Sequence, residues 1–365
     1  MKVLLFAIRS SHKKFFIELK KEDSNLFDIV FPKYRFVFTL RGLKDLKHIN
    51  LEPAITFAVE EFRIKVIPLP KVILNLYFRS LALFYYLVYY SVIDKKYSAI
   101  LLWNGGKCRQ RVAIEIAKLH GIKTIFFENG LLPNRLVLDN NGINADNSVP
   151  RDRVFFENYH NNLSLPNSLI PRRPKNQKKF QTSLVSLPES FIFVPFQVDS
   201  DTQIITNSKW IKDMRQLFDT IEQLSKVVSL KFVLKEHPSS SRNYPDLHKR
   251  ADISDNISFA NGYPTQELIE RSLAVITINS TVGVESLLFK KRVVVLGDAF
   301  YRIDGITKGA DNQIELQKVI ENLDSWIFEE ELVNNFLKYL YYDYLIPKDE
   351  HLYQNFYKFI KRVIL

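Results

Sequence analysis

The sequence predicts an α/β protein built from two doubly wound domains. Three observations predict it: short apolar runs alternate with helix-length stretches, the alternation occurs twice, and a proline-rich basic segment separates the two occurrences. In the first half the strand-like runs are Val3 to Ile8, Arg35 to Leu40, Ala99 to Trp103 and Thr124 to Phe127. The helix between the last two, Arg109 to His120, carries Val112, Ile114, Ile116 and Leu119 and is closed by Gly121. This is a βαβ pattern, and a parallel sheet follows because the crossover helix must return the chain. The segment Leu165 to Ser190, with Arg172, Arg173, Lys175, Lys178 and Lys179, reads as a linker or as a contact for anionic lipid headgroups. Beyond it come a strand (Phe191 to Val198), a helix (Ser208 to Val228), a strand (Leu230 to Leu234) and a helix (Thr265 to Arg271). Strand Ala274 to Ile278, helix Val282 to Phe289 and strand Val293 to Leu296 follow. The predicted domains are 1–180 and 181–330, with a helical, aromatic-rich tail over 331–365 that packs back on them.

With 365 residues, 46% of them hydrophobic, the chain is long enough for more than one core. A net charge of +11 points to anionic partners without choosing among nucleic acid, lipid and phosphorylated substrates. No basic-aromatic nucleic-acid motif is evident, so nucleic acid is not expected. The single cysteine, Cys108, forbids an internal disulfide, which suits a reducing cytoplasm. The apolar start, MKVLLFAIRSSHKK, is too short for a signal peptide and reads as a first buried strand. Leu74 to Ile93 is long enough to span a bilayer, but Arg79 and five tyrosines favour a buried or membrane-surface helix.

Four polar clusters fall at predicted carboxyl ends of strands, where open α/β sheets bind ligands. The first is Glu128-Asn129-Gly130, which also reads as a strand-ending turn. The second, Gln197 to Asp201, contains Asp199 and Asp201, a D-x-D pattern that suits a metal, a turn or a carboxylate nucleophile. The third is Lys235-Glu236-His237-Pro238, where Pro238 restricts the backbone of His237 and Lys235 could add charge. The fourth is Asn279 to Gly283. Ser280 and Thr281 stand at a helix N-terminus, able to cap it or to hold a phosphate, and Gly283 would let a backbone approach closely.

In this ordered set the chain resembles the bacterial capsule-lipid β-Kdo transferases, the capsule polysaccharide synthesis group that includes KpsS and KpsC. The resemblance covers about Trp103 to Thr307. It is carried by Trp103-Asn104-Gly105, FFENGLLPNRLVLDNNGINADNSVP, PFQVDSDTQIITNS, KEHP and INSTVGVESLLFKKRVVVLGDAFYRIDGIT. The PFQVDSDTQIITNS stretch and the GINADNSVP loop look closer to KpsS.

The resemblance implies a GT-B type fold of two Rossmann-like domains facing each other across a cleft, and transfer of Kdo from CMP-Kdo with retention. Asp201 matches the position of the nucleophile and Glu128 that of the general acid/base, and His237 is the third catalytic candidate, able to hydrogen-bond a phosphoryl oxygen or protonate the leaving phosphate. Gln197, Lys235, His237, Pro238, Ser280, Thr281 and Gly283 are expected around the donor. Asn104, Gly130, Asp139 and Asn144 are expected near the acceptor or the Kdo carboxylate. Asn129 stands where some members carry a second acid. No metal or other cofactor is expected, because one phosphate and one carboxylate need only a helix end and nearby cations. The acceptor would be lipid-linked or a glycan, and the location cytoplasmic, peripheral on an anionic inner membrane. Two alternatives stay open: another CMP-sugar transferase of sialyltransferase type, and a non-catalytic scaffold of capsule assembly or export.

Overall fold

The computed structural model describes residues 2–31, 39–65, 69–170, 185–240 and 242–365. The chain divides into two compact units, one of Met1–Gly130, Asn134–Ser148 and Tyr344–Leu365, the other of Leu131–Pro133 and Val149–Asp343. The first boundary therefore falls near residue 148 and not near 180. Its cause is the helix Arg153–Glu157, whose Phe156 packs edge-on against Phe336 and whose Arg153 pairs with Glu329, both in the second unit. The basic linker cluster Arg172 to Lys179 lies outside the described residues.

In the first unit the strands are β1 (Lys2–Phe6), β2 (Phe27–Val30), β3 (Tyr97–Trp103), β4 (Lys123–Asn129), β5 (Arg135–Asp139) and β12 (Ile346–Pro347). Among the described residues they form one sheet in the order β12-β5-β4-β3-β1-β2. Strands β1 to β4 run parallel, while β5 and β12 are antiparallel additions at one edge. The parallel strands are apolar on both faces because both are covered. Leu4, Phe6, Ile100, Leu102 and Phe126 share a core with α3 (Glu52–Lys65), α4 (Lys71–Tyr90) and α5 (Cys108–Leu119). Val3, Leu5, Ala99, Leu101, Ile125 and Phe127 pack on α1 (Ser10–Lys20) and on α14 (Leu352–Ile364).

Three expectations change here. The strand expected over Arg35 to Leu40 lies mostly outside the described residues, and Leu40 opens the short helix α2 (Leu40–Asp45), capped by Thr39. The polar stretch after Glu128 is not a simple loop: β4 runs on to Asn129 and returns as β5. The tail is not wholly helical, since β12 pairs with β5 before α14 begins.

The second unit holds β6 (Phe191–Pro195), β7 (Lys231–Lys235), β8 (Ile257–Phe259), β9 (Ala274–Thr277), β10 (Arg292–Val295) and β11 (Lys308–Gly309), all parallel, in the order β11-β10-β9-β6-β7-β8. The helix expected over Ser208 to Val228 begins only at Met214, as α8 (Met214–Ser225), because Asp213 caps it by accepting from Gln216 N; a separate short helix, α7 (Thr202–Asn207), precedes the expected range. Helices α8, α9 (Pro245–Asp252) and α12 (Gln313–Glu321) supply Leu217, Phe218, Leu247 and Leu316 to the core on one face of the sheet. On the other face, α10 (Thr265–Arg271) and α11 (Thr281–Leu288) supply Leu268, Ile269 and Val282. The remaining helix, α13 (Glu330–Lys338), receives Phe156. Two doubly wound α/β units in one chain are the parts of the expected GT-B class.

Candidate functional site

In both sheets the strand order reverses at one point, and the crevice beyond the carboxyl ends there is the natural ligand site. In the second unit the reversal lies between β6 and β9. The residues leaving these two strands lock them together: Gln197 Nε2 donates to Asn279 Oδ1 at 3.0 Å, and Asn279 N donates to Gln197 Oε1 at 3.2 Å. Asn279 Nδ2 also donates to the carbonyls of Gln203 and Asn207. Gln197 and Asn279 are both buried, so Asn279 holds α7 against the end of β9 and Gln197 fixes Asn279 beneath the crevice.

Asp199 and Asp201, adjacent in the D-x-D pattern, part company. Asp199 is buried and accepts from Met214 N at 2.7 Å and from Tyr244 Oη at 2.5 Å. It is a structural carboxylate. Asp201 is exposed and caps α7, its Oδ1 accepting from Gln203 N at 2.9 Å. Its Oδ2 makes no hydrogen bond to the described residues, which leaves one oxygen for chemistry.

Strand β7 flanks β6 and ends in Lys235, which is turned inward. Its Nζ donates to the carbonyls of Asn261 and Tyr263, each at 2.7 Å, and burial pushes its pKa down to about 8. Lys235 therefore pins the loop after β8, which corrects its expected place as a cation beside the donor. His237 comes next, in a turn closed by Ser240 N donating to the His237 carbonyl at 2.9 Å, with Pro238 in the second position that favours proline. Ser239 N donates to His237 Nδ1 at 3.1 Å. An accepting Nδ1 puts the neutral ring's proton on Nε2, which makes that nitrogen the donor.

At the end of β9, Ser280 caps α11, its Oγ accepting from Val282 N at 3.2 Å, while Gly283 N donates to the Ser280 carbonyl. Two early amides of α11 are thus satisfied within the turn. What the turn can offer an anion is the positive dipole end and the hydroxyls of Ser280 and Thr281. Gly283 is required for a different approach than expected: a Cβ there would lie 2.6 Å from Tyr301 Oη, which itself donates to the Ser280 carbonyl. Its close neighbour is a side chain of the protein, not a ligand.

In the first unit the reversal lies between β1 and β3, with β4 alongside β3. Asn104, just beyond β3, sits at φ 68° and reaches β4: its N donates to the Phe127 carbonyl at 2.9 Å and its Nδ2 to Glu128 Oε1 at 2.8 Å. The structure thus brings together Asn104 and Glu128, and a part-buried carboxylate is held by an amide donor at a strand end. Gly130 closes the β4–β5 hairpin, where a Cβ would strike the Arg135 carbonyl. Asn144 starts a single 3-10 turn, Asn144–Asp146, at φ 58°.

Asp139 has no capacity left for a ligand. It is buried, and Oδ1 accepts from Asn141 N and Gly142 N while Oδ2 accepts from Ser148 N, Ser148 Oγ and Tyr344 Oη. It organises the Asn140 to Ser148 loop, so its expected place beside acceptor or sugar is corrected. Asp139→Asn puts an NH2 against one of these donor sets. We expect a loss of about 2–4 kcal/mol in stability, read by denaturant unfolding, larger than for an ordinary surface change.

The residues 98–185 and 170–342 match the model of the family described as "Capsule polysaccharide biosynthesis protein". The chain belongs to this family. It is the group that the ordered motifs resemble, and the match takes in nearly all of the second unit and the part of the first from residue 98 to 148. Among curated relatives, the chain is 36% identical over 250 residues to Protein FixF of Sinorhizobium fredii, a match covering 68% of this chain and 60% of that one. It is 26% identical to the capsule polysaccharide export protein KpsS of Escherichia coli, covering 55% of this chain and 68% of the relative. The chain thus spans about 60% of the length of FixF. Among solved structures, the β-Kdo 2,4 transferase of Thermosulfurimonas dismutans KpsC matches over 94% of this chain and 91% of that one, with 16% identity and a TM-score of 0.47.

Two features of this family member escaped the sequence. One is a cavity of about 490 Å³ at the reversal point of the first unit, lined by Arg9, Lys65, Lys107 and Arg109 together with Phe62, Phe78, Leu81 and Tyr85. Its signal was the placement of Arg9 and Lys107 just beyond β1 and β3. Cys108 also lines it, but burial pushes that thiol up to about 11, which makes it a poor nucleophile at neutral pH.

The other is His12, buried and stacked on Trp103 with ring centroids 5.0 Å apart. Burial, helped by the Arg9 charge, pushes its pKa down to about 4. The unfolded chain binds this proton near pH 6.5 and the folded chain only near pH 4, so stability falls as pH drops through that window. At about 1.4 kcal/mol per pH unit, the loss across this window is roughly 3 kcal/mol. Comparing the pH dependence of unfolding in the native protein and in His12→Phe measures it, and the slope between these values should flatten in the variant.

Proposed function

We propose that the chain is a retaining β-Kdo glycosyltransferase, moving Kdo from CMP-Kdo to a lipid-linked or glycan acceptor in capsule or cell-surface polysaccharide synthesis. The reading rests on family membership, on the ordered motifs, and above all on one observation in the second unit. Three adjacent strands, β9-β6-β7, deliver the cap of α11, the exposed carboxylate of Asp201 and the Nε2 donor of His237 to the same sheet end. A CMP-sugar has one phosphate, and a helix end with a histidine donor suits one phosphate without a metal.

In the proposed reaction Asp201 Oδ2 attacks the anomeric carbon, and the bond from that carbon to the phosphate oxygen breaks. The electron pair leaves on CMP, stabilised by the α11 end and His237. CMP needs no protonation to leave, since a phosphate carries the charge itself. The acceptor hydroxyl then attacks the same carbon, the ester to Asp201 breaks, and Glu128 takes the hydroxyl proton. Two inversions give net retention. We place the reaction in the cytoplasm. Incubation with CMP-Kdo and, separately, CMP-sialic acid tests the donor: CMP release from the first alone supports the reading, and release from the second alone replaces it.

A further inference from the structure

Helix α4 is apolar on two opposite faces. Leu74, Phe78, Ala82 and Tyr86 are buried toward α3, α5 and the sheet, whereas Val72, Ile73, Leu76, Tyr77, Leu83 and Phe84 point outward and are 36% to 70% exposed. At 100° per residue the outward set covers an arc of about 140°, and at 1.5 Å per residue it runs for about 18 Å. Interrupted only by Ser80, this is a continuous stripe, unlike the single exposed apolar residues scattered over ordinary surfaces.

The charges around the stripe say what covers it. Arg63, Lys65, Lys71, Arg79, Lys107 and Arg109 lie on α4 and along the helices packed against it, where the three carboxylates Glu52, Glu60 and Glu61 pair with Arg63, Lys65, Lys71, Arg79 and Lys107, and Arg109 donates to Tyr85 Oη. The rim keeps a positive excess. A second copy docked two-fold on the same stripe would set that excess against itself. An anionic bilayer matches both parts, apolar side chains against the acyl boundary and cations against phosphates. One flank of the stripe also runs into the cavity described above, through Leu81 and Tyr85, where four cations, Arg9, Lys65, Lys107 and Arg109, outnumber the one lining carboxylate, Glu61, that bridges the two lysines, and meet apolar walls. Such a lining suits a molecule with a phosphate head and an apolar tail.

We propose that α4 lies flat on an anionic phospholipid bilayer, its outward stripe in the interface and its basic rim and cavity on the lipid phosphates. The proposal is independent of the sugar donor and stands or falls separately from it. The test is sedimentation of the full chain with vesicles of phosphatidylcholine alone and of phosphatidylcholine containing one-third phosphatidylglycerol. The native protein should bind the anionic vesicles and lose binding as salt is raised. Leu76→Ser with Phe84→Ser should weaken binding at least about tenfold, since two interfacial apolar side chains are lost. Both positions are exposed, so thermal unfolding should be unchanged. Lys107→Gln with Arg109→Gln should reduce binding and flatten its salt dependence. No binding to anionic vesicles overturns the proposal, as does equal binding of the serine variant. So does a native dimer that the serine variant turns into a monomer, because the stripe would then be a contact between copies.

Discussion

Asp201→Asn is expected to lower sugar transfer by roughly a thousandfold or more, because an amide cannot form the glycosyl ester. The substitution is clean for a structural reason. Among the described residues, the one hydrogen bond of the Asp201 side chain is the cap of α7, through Oδ1 to Gln203 N at 2.9 Å. Asparagine caps helices about as well as aspartate, so α7 should stay in place and stability should change little. A fall in activity with unchanged unfolding then reports chemistry. Asp199→Asn is the contrasting case: it disturbs a buried carboxylate bonded to Met214 N and Tyr244 Oη, and its effect should appear in stability as well.

Glu128→Gln should reduce turnover by about 10²–10⁴-fold, the usual span for losing a positioned general base. Here too the geometry should survive, because the glutamine oxygen can still accept from Asn104 Nδ2, as Glu128 Oε1 does at 2.8 Å. The two substitutions should differ in kind. Since Glu128 is assigned to the acceptor's proton and CMP leaves without protonation, Glu128→Gln should still release one CMP per chain and then stall. Asp201→Asn should release almost none. Rapid-quench measurement of CMP with acceptor present separates them, and equal loss of the first turnover in both would remove Glu128 from the second step.

How much of this was legible in the sequence follows from what each signal encodes. Apolar runs such as AILLW, FIFVP and RVVV announced buried parallel strands, because a strand covered on both faces has no polar side to hide. The helix Thr265–Arg271 was placed at its observed ends. Short or mixed elements were missed: β2, β8 and β11 have two to four residues each, too few to show a period. The β5 hairpin was hidden inside a polar-looking stretch, since Gly130 and Asn134 mark a turn only once the returning strand is recognised.

Strand-end position gathered the candidate residues at the sheet ends but could not assign work among them. Asp139 and Asp201 look alike in sequence, yet one is surrounded by five donors and the other keeps an open oxygen. Lys235 likewise spends its charge on two carbonyls contributed by a loop some 26 residues away. Such partners are set by tertiary contacts, which neither spacing nor residue type records.

The central claim is that Asp201 becomes glycosylated by a CMP-sugar, and the intact mass of the protein tests it most directly. Incubation of Glu128→Gln with CMP-Kdo should raise the mass by one Kdo residue, with the adduct on the peptide containing Asp201 and absent when Asp201→Asn is combined with it. Release of CMP with no mass gain, or an adduct on any other residue, would contradict the account.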